Sequence, residues 1–209
     1  MYTLYGYKRS GSAAVEVALG RTKAAYRVVN AASWDPDSAL AELAKLNSLK
    51  QIPTLITPHG DILTESAAIL IHLGREFPGS AILPSATRRR DQAIRGLVFI
   101  AANCYSAVSI IDFPERWLED ADDLGKGRLI RGTRQRLYRH WEIFADQFGC
   151  VPYLSGEEPG ALDFLAAVVC KWSGARQHLR EARPDFFATL ERIEQHSEIS
   201  AVFGRHWDA

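Results

Sequence analysis

The chain has 209 residues, 47% hydrophobic and 24% charged, which is enough for one large or two small domains with an ample core. Its 25 basic and 25 acidic residues leave a formal net charge of zero, so nothing electrostatic recommends a nucleic acid or an anionic membrane as partner, and the expected substrate is small. The N-terminal MYTLYGYKRS lacks the layout of a secretory signal, and no run of about 18 apolar residues suggests a bilayer span. Cys104, Cys150 and Cys170 are widely spaced and odd in number, which fits reduced, buried thiols in a cytoplasmic protein better than a disulfide framework.

Residues 2–7 (YTLYGY) and 25–29 (AYRVV) are aromatic and β-branched and predict two strands. Between them, Ser12 to Gly20 predicts a helix with Ser12 as N-cap and glycine at its end. A second helix is predicted over Ser38 to Leu46, where Leu40, Leu43, Ala44 and Leu46 share a face. The pairs TLIT (54–57) and DILT (61–64) flank a Pro-His-Gly-Asp turn and predict a hairpin; Glu65 to Phe77 follows as a helix, stopped by Pro78-Gly79. The order β-α-β-α-β-β-α implies a mixed sheet with helices on its faces.

Residues 78–87 (PGSAILPSAT) are rich in proline, glycine and small hydroxyl residues and read as a linker between a first domain, 1–77, and a second, 88–209. Beyond it, strand signals nearly vanish. Helices are predicted over Arg88 to Ile111, Gly127 to Phe148, Ala161 to Trp172, Pro184 to Glu194 and Ile199 to Phe203, with the almost wholly apolar third as the buried centre. The six histidines show no spacing shared with cysteine or acidic partners, so no metal site is expected. The Arg88-Arg89-Arg90 run reads as a solvated helix start.

The stretch KQIPTLITPHGDILTES (50–66) holds the most chemistry. Pro53 has no amide hydrogen for a sheet; it either simply opens a strand or, in cis, turns the chain and leaves the N–H and C=O of Ile52 free to pair with an extended peptide. Thr64-Glu65-Ser66 is equally two-sided. It is an ordinary capped helix start with Thr64 as N-cap, or a receptor in which free amides and the Ser66 hydroxyl hold a carboxylate while Glu65 accepts from an ammonium group. The second arrangement suits an α-amino-acid head.

Taken in order, NSLKQIPTL (47–55), LTESAAILIHL (63–73) and ALDFLAAV (161–168), on an α/β domain followed by an all-helical one, resemble the cytosolic-type bacterial glutathione S-transferases over the full length. The resemblance implies a thioredoxin-like N-terminal domain that binds glutathione, an all-α C-terminal domain and a homodimer. The Ile52-Pro53 backbone would pair with the cysteinyl portion, Glu65 and Ser66 would hold the γ-glutamyl head, and Gln51 or Lys50 would approach the glycyl carboxylate. Near Ser33-Trp34, where members often carry a basic side chain, this chain has none.

The same resemblance places the catalytic element in KRSGSAAV (8–15), where a hydroxyl would stabilise the glutathione thiolate. Ser10 and Ser12 are the candidates, with Tyr7 near the loop. Gly11 falls where the cysteine-using class has its cysteine, so mixed-disulfide chemistry is not expected. The electrophile would sit against the first long helix of the second domain, at Asn103, Tyr105 and Ser106, with Phe113 and Trp117 further on. The His-Lys pair common in the beta class near the last two of those three positions is absent. Asp163 is read as structural, with the reciprocal cap of its helix incomplete because position 160 is glycine. The expected function is a glutathione S-transferase attacking a small hydrophobic electrophile, as in detoxification. The alternatives are a non-catalytic binding or regulatory protein on the same scaffold, or a glutathione-dependent reductase or isomerase.

Overall fold

The computed structural model describes residues 1–149 and 151–207. Its first part runs β1 (Tyr2–Gly6), α1 (Ser12–Thr22), β2 (Tyr26–Asn30), α2 (Leu40–Leu46), β3 (Thr54–Ile56), β4 (Ile62–Leu63) and α3 (Ser66–Glu76). The strands form one sheet in the order β2-β1-β3-β4, with β1 parallel to β2, β1 antiparallel to β3, and β3 antiparallel to β4. This mixed sheet is thioredoxin-like. The central strand β1 alternates as a two-faced strand must: Tyr2 and Leu4 join the main core, while Tyr5 enters a small separate cluster with Ala31 and Leu43 beside α2.

The second part is helical: α4 (Thr87–Phe99), a π-helical stretch over Ile100–Tyr105, α5 (Ser106–Asp112), α6 (Asp123–Phe148), α7 (Ala161–Val169), α8 (Ala175–Ala182), α9 (Pro184–Gln195) and α10 (Ser197–Trp207). Every residue of α7 is buried, and α1 packs against α3, α7 and α10. One core therefore runs from the sheet through α1 into the helical part. Residues 78–86 also contribute to it, because Ile82 and Leu83 are buried and the Ile82 carbonyl accepts from the Ala161 amide at 2.8 Å.

Several expected boundaries move for physical reasons. Helix α1 starts at Ser12 with Gly11 as N-cap, so Ser12 is its first residue and not its cap; Gly20 lies inside it, and Lys23 ends it in the left-handed region at φ 57°. Thr64 does not cap α3 either, because the residue before the helix is Glu65. Helix α2 begins at Leu40 since Ser38 is engaged in a turn, its hydroxyl donating to the Asp35 carbonyl at 2.6 Å. Helix α7 stops at Val169, and α8, absent from the sequence reading, occupies the segment after it.

Cys104 and Cys170 are buried free thiols; Cys150 lies outside the described residues. One helix comes near the composition of an apolar span without being an unbroken apolar run. The continuous helix Thr87–Asp112 contains an 18-residue window of mean hydropathy 1.6, long and apolar enough by composition to cross a bilayer. Here it packs against α6 and α7, with Leu97, Ile100, Cys104 and Val108 in the core.

Candidate active site

A cleft of about 770 Å³ lies between the sheet's loop ends and the long helix of the second part. Its first wall is built from three loops. In the loop before β3, the buried Asn47 donates from Nδ2 to the Gln51 carbonyl and to Thr54 Oγ1, both at 3.1 Å, and Thr54 Oγ1 donates to the same carbonyl at 2.9 Å. These bonds fix the turn that presents Lys50, Gln51, Ile52 and Pro53 to the cleft. The Ile52-Pro53 peptide is cis, and the main chain of Ile52 makes no hydrogen bond among the described residues. An unpaired donor and acceptor at an accessible strand end is what an extended peptide needs.

The second loop precedes α3. Glu65 has φ 64° and ψ 110°, an unfavourable backbone for any residue with a Cβ, and Ser66 opens the helix beside it. Both line the cleft, so the free amides of the α3 start face the same space as the Ile52 main chain.

The third loop joins β1 to α1. Ser10 lines the cleft and Ser12 does not; they are 5% and 1% exposed. Ser10 Oγ donates to the Tyr7 carbonyl at 2.7 Å, lies 2.8 Å from Ser12 Oγ and accepts from the Ser12 amide at 3.2 Å. Ser12 Oγ accepts from the Tyr7 amide and donates to the Tyr7 carbonyl, each at 3.2 Å. A Cβ on Gly6 would meet Ser12 Cβ at 2.5 Å, so seating Ser12 this close to β1 requires glycine there. Tyr7 is turned away, its hydroxyl donating to Asp35 Oδ2 at 2.6 Å; that hydrogen bond first, then burial, pushes its pKa up.

The opposite wall is largely aromatic, with Tyr105, Phe113, Trp117 and Trp172; Trp34 faces it from the first part. Tyr105 lies against Trp172 with ring centroids 5.5 Å apart, and the Arg116 guanidinium sits 3.9 Å over the Phe113 ring. Ser106 also lines the cleft, its hydroxyl donating to the Ala102 carbonyl at 2.6 Å. Asn103 does not, since its amide donates to the Phe99 carbonyl at 3.1 Å. Asn47 is a cleft residue the sequence did not mark; it opens a turn and its Oδ1 accepts from the Leu49 amide at 3.0 Å, the local bond for which Asn is favoured in turns. The contact of Tyr105 with the β1–α1 loop was also missed. A methyl group on Gly11 would collide with the Tyr105 phenolic oxygen.

A thioredoxin-like domain presenting an unpaired strand end and a helix N-terminus to an aromatic-walled cleft, with a helical part behind it, is an architecture of the glutathione transferase type. The comparisons agree. The family profile for the glutathione S-transferase N-terminal domain matches residues 1–75. The GST-like protein YncG of Escherichia coli strain K12 is 30% identical over 207 residues, covering 99% of this chain and 98% of that one. Similar solved structures include a glutathione transferase homologue from Sulfitobacter with bound glutathione, at TM-score 0.84 and 19% identity over 98% of both chains. A sphingomonad glutathione S-transferase complexed with glutathione has TM-score 0.79 and 19% identity, over 99% of this chain and 100% of that one. The chain belongs to the glutathione S-transferase family.

Proposed function

We propose that this cleft binds glutathione and activates its thiol for attack on a small hydrophobic electrophile. One observation carries the reading: the free main chain of Ile52 and the α3 start at Glu65-Ser66 line a single cleft whose far wall is aromatic. Ile52 N–H and C=O pair with the cysteinyl unit, Ser66 and the α3 amides take the γ-glutamyl carboxylate, and Glu65 takes its ammonium group. Gln51 reaches the glycyl end. That two solved relatives of this fold hold glutathione supports the assignment.

In this pose the thiol points to the loop of residues 9–11 at the start of α1. Ser10 forms the polar floor there, with Ser12 behind it holding the loop to β1. The thiol proton leaves to water and the sulfur anion attacks the electrophilic carbon; a halide departs with its electron pair, whereas an enone or epoxide keeps the displaced electron pair on carbon or oxygen and takes a proton from water. Phe113 and Trp117 offer that electrophile an apolar surface. No described cysteine lines the cleft, which favours conjugation over mixed-disulfide reduction. The free, buried thiols of Cys104 and Cys170 fit work in a reducing cytoplasm.

Retention on immobilised glutathione and turnover across a panel of aryl halides, enones and epoxides test the proposal. Binding with turnover is expected. Failure to bind overturns it, and binding without turnover across the panel would leave a binding protein in its place.

A further inference from the structure

We propose that the Tyr105 hydroxyl, reaching across from the helical part of the chain, donates the hydrogen bond that stabilises the glutathione thiolate. The inference rests on the glutathione reading above and names the group that acts on the sulfur.

Four hydroxyls surround the β1–α1 loop: Tyr7, Ser10, Ser12 and Tyr105. Three have their protons engaged. Tyr7 donates to Asp35, and the two serines exchange their protons between each other and the Tyr7 carbonyl. A hydroxyl whose hydrogen is held by a carbonyl at 2.7 Å presents lone pairs to the cleft, which a thiolate does not want. Tyr105 differs. Its oxygen lies so close to Gly11 that no Cβ fits between them, and it accepts from the Gly11 amide, while its own hydrogen is donated to no group among the described residues. It lines the cleft over the turn where the sulfur is delivered.

Local structure aims it there. Tyr105 ends the π-helical stretch Ile100–Tyr105, whose wider turn breaks the regular facing of the helix. Cys104 stays in the core, while Tyr105 rests on Trp172 and enters the cleft. Burial pushes the Tyr105 phenol up to about 12; a hydrogen bond from the Gly11 amide opposes this, and the Glu65 and Asp112 carboxylates facing it add to the rise. The phenol therefore stays protonated at every working pH and acts as a donor, never as the base. Glu65 and Asp112 also disfavour a thiolate, and Arg9 on the loop favours it. The Tyr105 donor tips that balance. It also explains the glycine, since a side chain at position 11 would occupy the space the phenol uses.

The test is the thiol pKa of bound glutathione, read from thiolate absorbance near 240 nm in the wild-type complex and in Tyr105→Phe. An unperturbed cysteine thiol ionises near 8.5, and a charge-assisted hydrogen bond is worth about 1–2 pKa units. We expect the wild-type value to lie below the free value and Tyr105→Phe to raise it by about 1 unit. The conjugation rate below pH 7 should drop roughly tenfold while the Kd for glutathione changes less than about twofold. Gly11→Ala, which displaces the phenol without removing it, should shift the thiol pKa the same way.

An unchanged thiol pKa in Tyr105→Phe, or a shift of that size in Ser10→Ala alone, overturns the proposal. If wild-type protein binds no glutathione, the underlying reading fails instead. Circular dichroism and Tm separate both outcomes from misfolding.

Discussion

In the proposed glutathione complex, Ser66 and Glu65 do different work on the γ-glutamyl head. The Ser66 hydroxyl adds a neutral donor, so Ser66→Ala should weaken glutathione binding about 5- to 10-fold, near 1 kcal/mol. On the same proposal Glu65 faces the ammonium group, so Glu65→Gln should cost more, about 10- to 100-fold, because charge-assisted bonds are roughly twice as strong. Titration calorimetry on the two variants checks the order, and equal losses would mean Glu65 meets no charge. Their common place on one cleft with Ile52 was legible in the sequence, because all three stand in one short segment. The role we assign to Tyr105 was not, because it depends on a contact with Gly11 made across the two parts of the chain. Asn103 was misplaced in the cleft for a related reason: the π-helical stretch breaks the period from which facing residues are read.

At the scale of elements, helix α7 is held by a carboxylate and not by a hydroxyl cap. Asp163 is fully buried and accepts from the amides of Leu154 at 2.7 Å, Gly160 at 2.9 Å and Ser155 at 3.0 Å. Glycine at 160 removes one half of a capping box, yet the carboxylate still ties the preceding loop to the helix start. Burial pushes the Asp163 pKa up, and these amides oppose it. Asp163→Ala would strand three amide donors, and we expect a loss of about 3 kcal/mol or more, read as a lower urea midpoint. The structural role of Asp163 was legible from sequence. Its loop partners were not, since no local pattern identifies Leu154 or Ser155 as donors.

Across the whole molecule, the seam between α1 and α10 turns on Glu16. Its carboxylate receives Arg205 Nη2 at 2.5 Å and His206 Nε2 at 2.9 Å, and Arg21 in α1 pairs with Glu198 in α10 at 2.6 Å. Burial pushes the Glu16 pKa up, but the hydrogen bonds from His206 and Arg205 outweigh it and hold the carboxyl below its ordinary 4.5. A depressed carboxyl stabilises the fold in full above its unfolded pKa, and that contribution is lost as pH falls through the folded value. Glu16→Gln should therefore cost about 1–3 kcal/mol at neutral pH and flatten the decline in Tm below about pH 4.5. A variant with an unchanged acid limb would place the titrating group elsewhere. The fold class was readable from element order; this seam was not, because its partners lie at opposite ends of the chain.

The central claim is that one cleft holds glutathione by the Ile52 main chain and the α3 start, with its sulfur at the β1–α1 loop. A crystal structure of the glutathione complex tests it most directly. Paired hydrogen bonds between Ile52 and the cysteinyl unit are expected, with the γ-glutamyl head on Glu65 and Ser66 and the sulfur about 3–3.5 Å from the Tyr105 hydroxyl. Glutathione bound elsewhere, or seated here with its sulfur turned away from the loop, would contradict it.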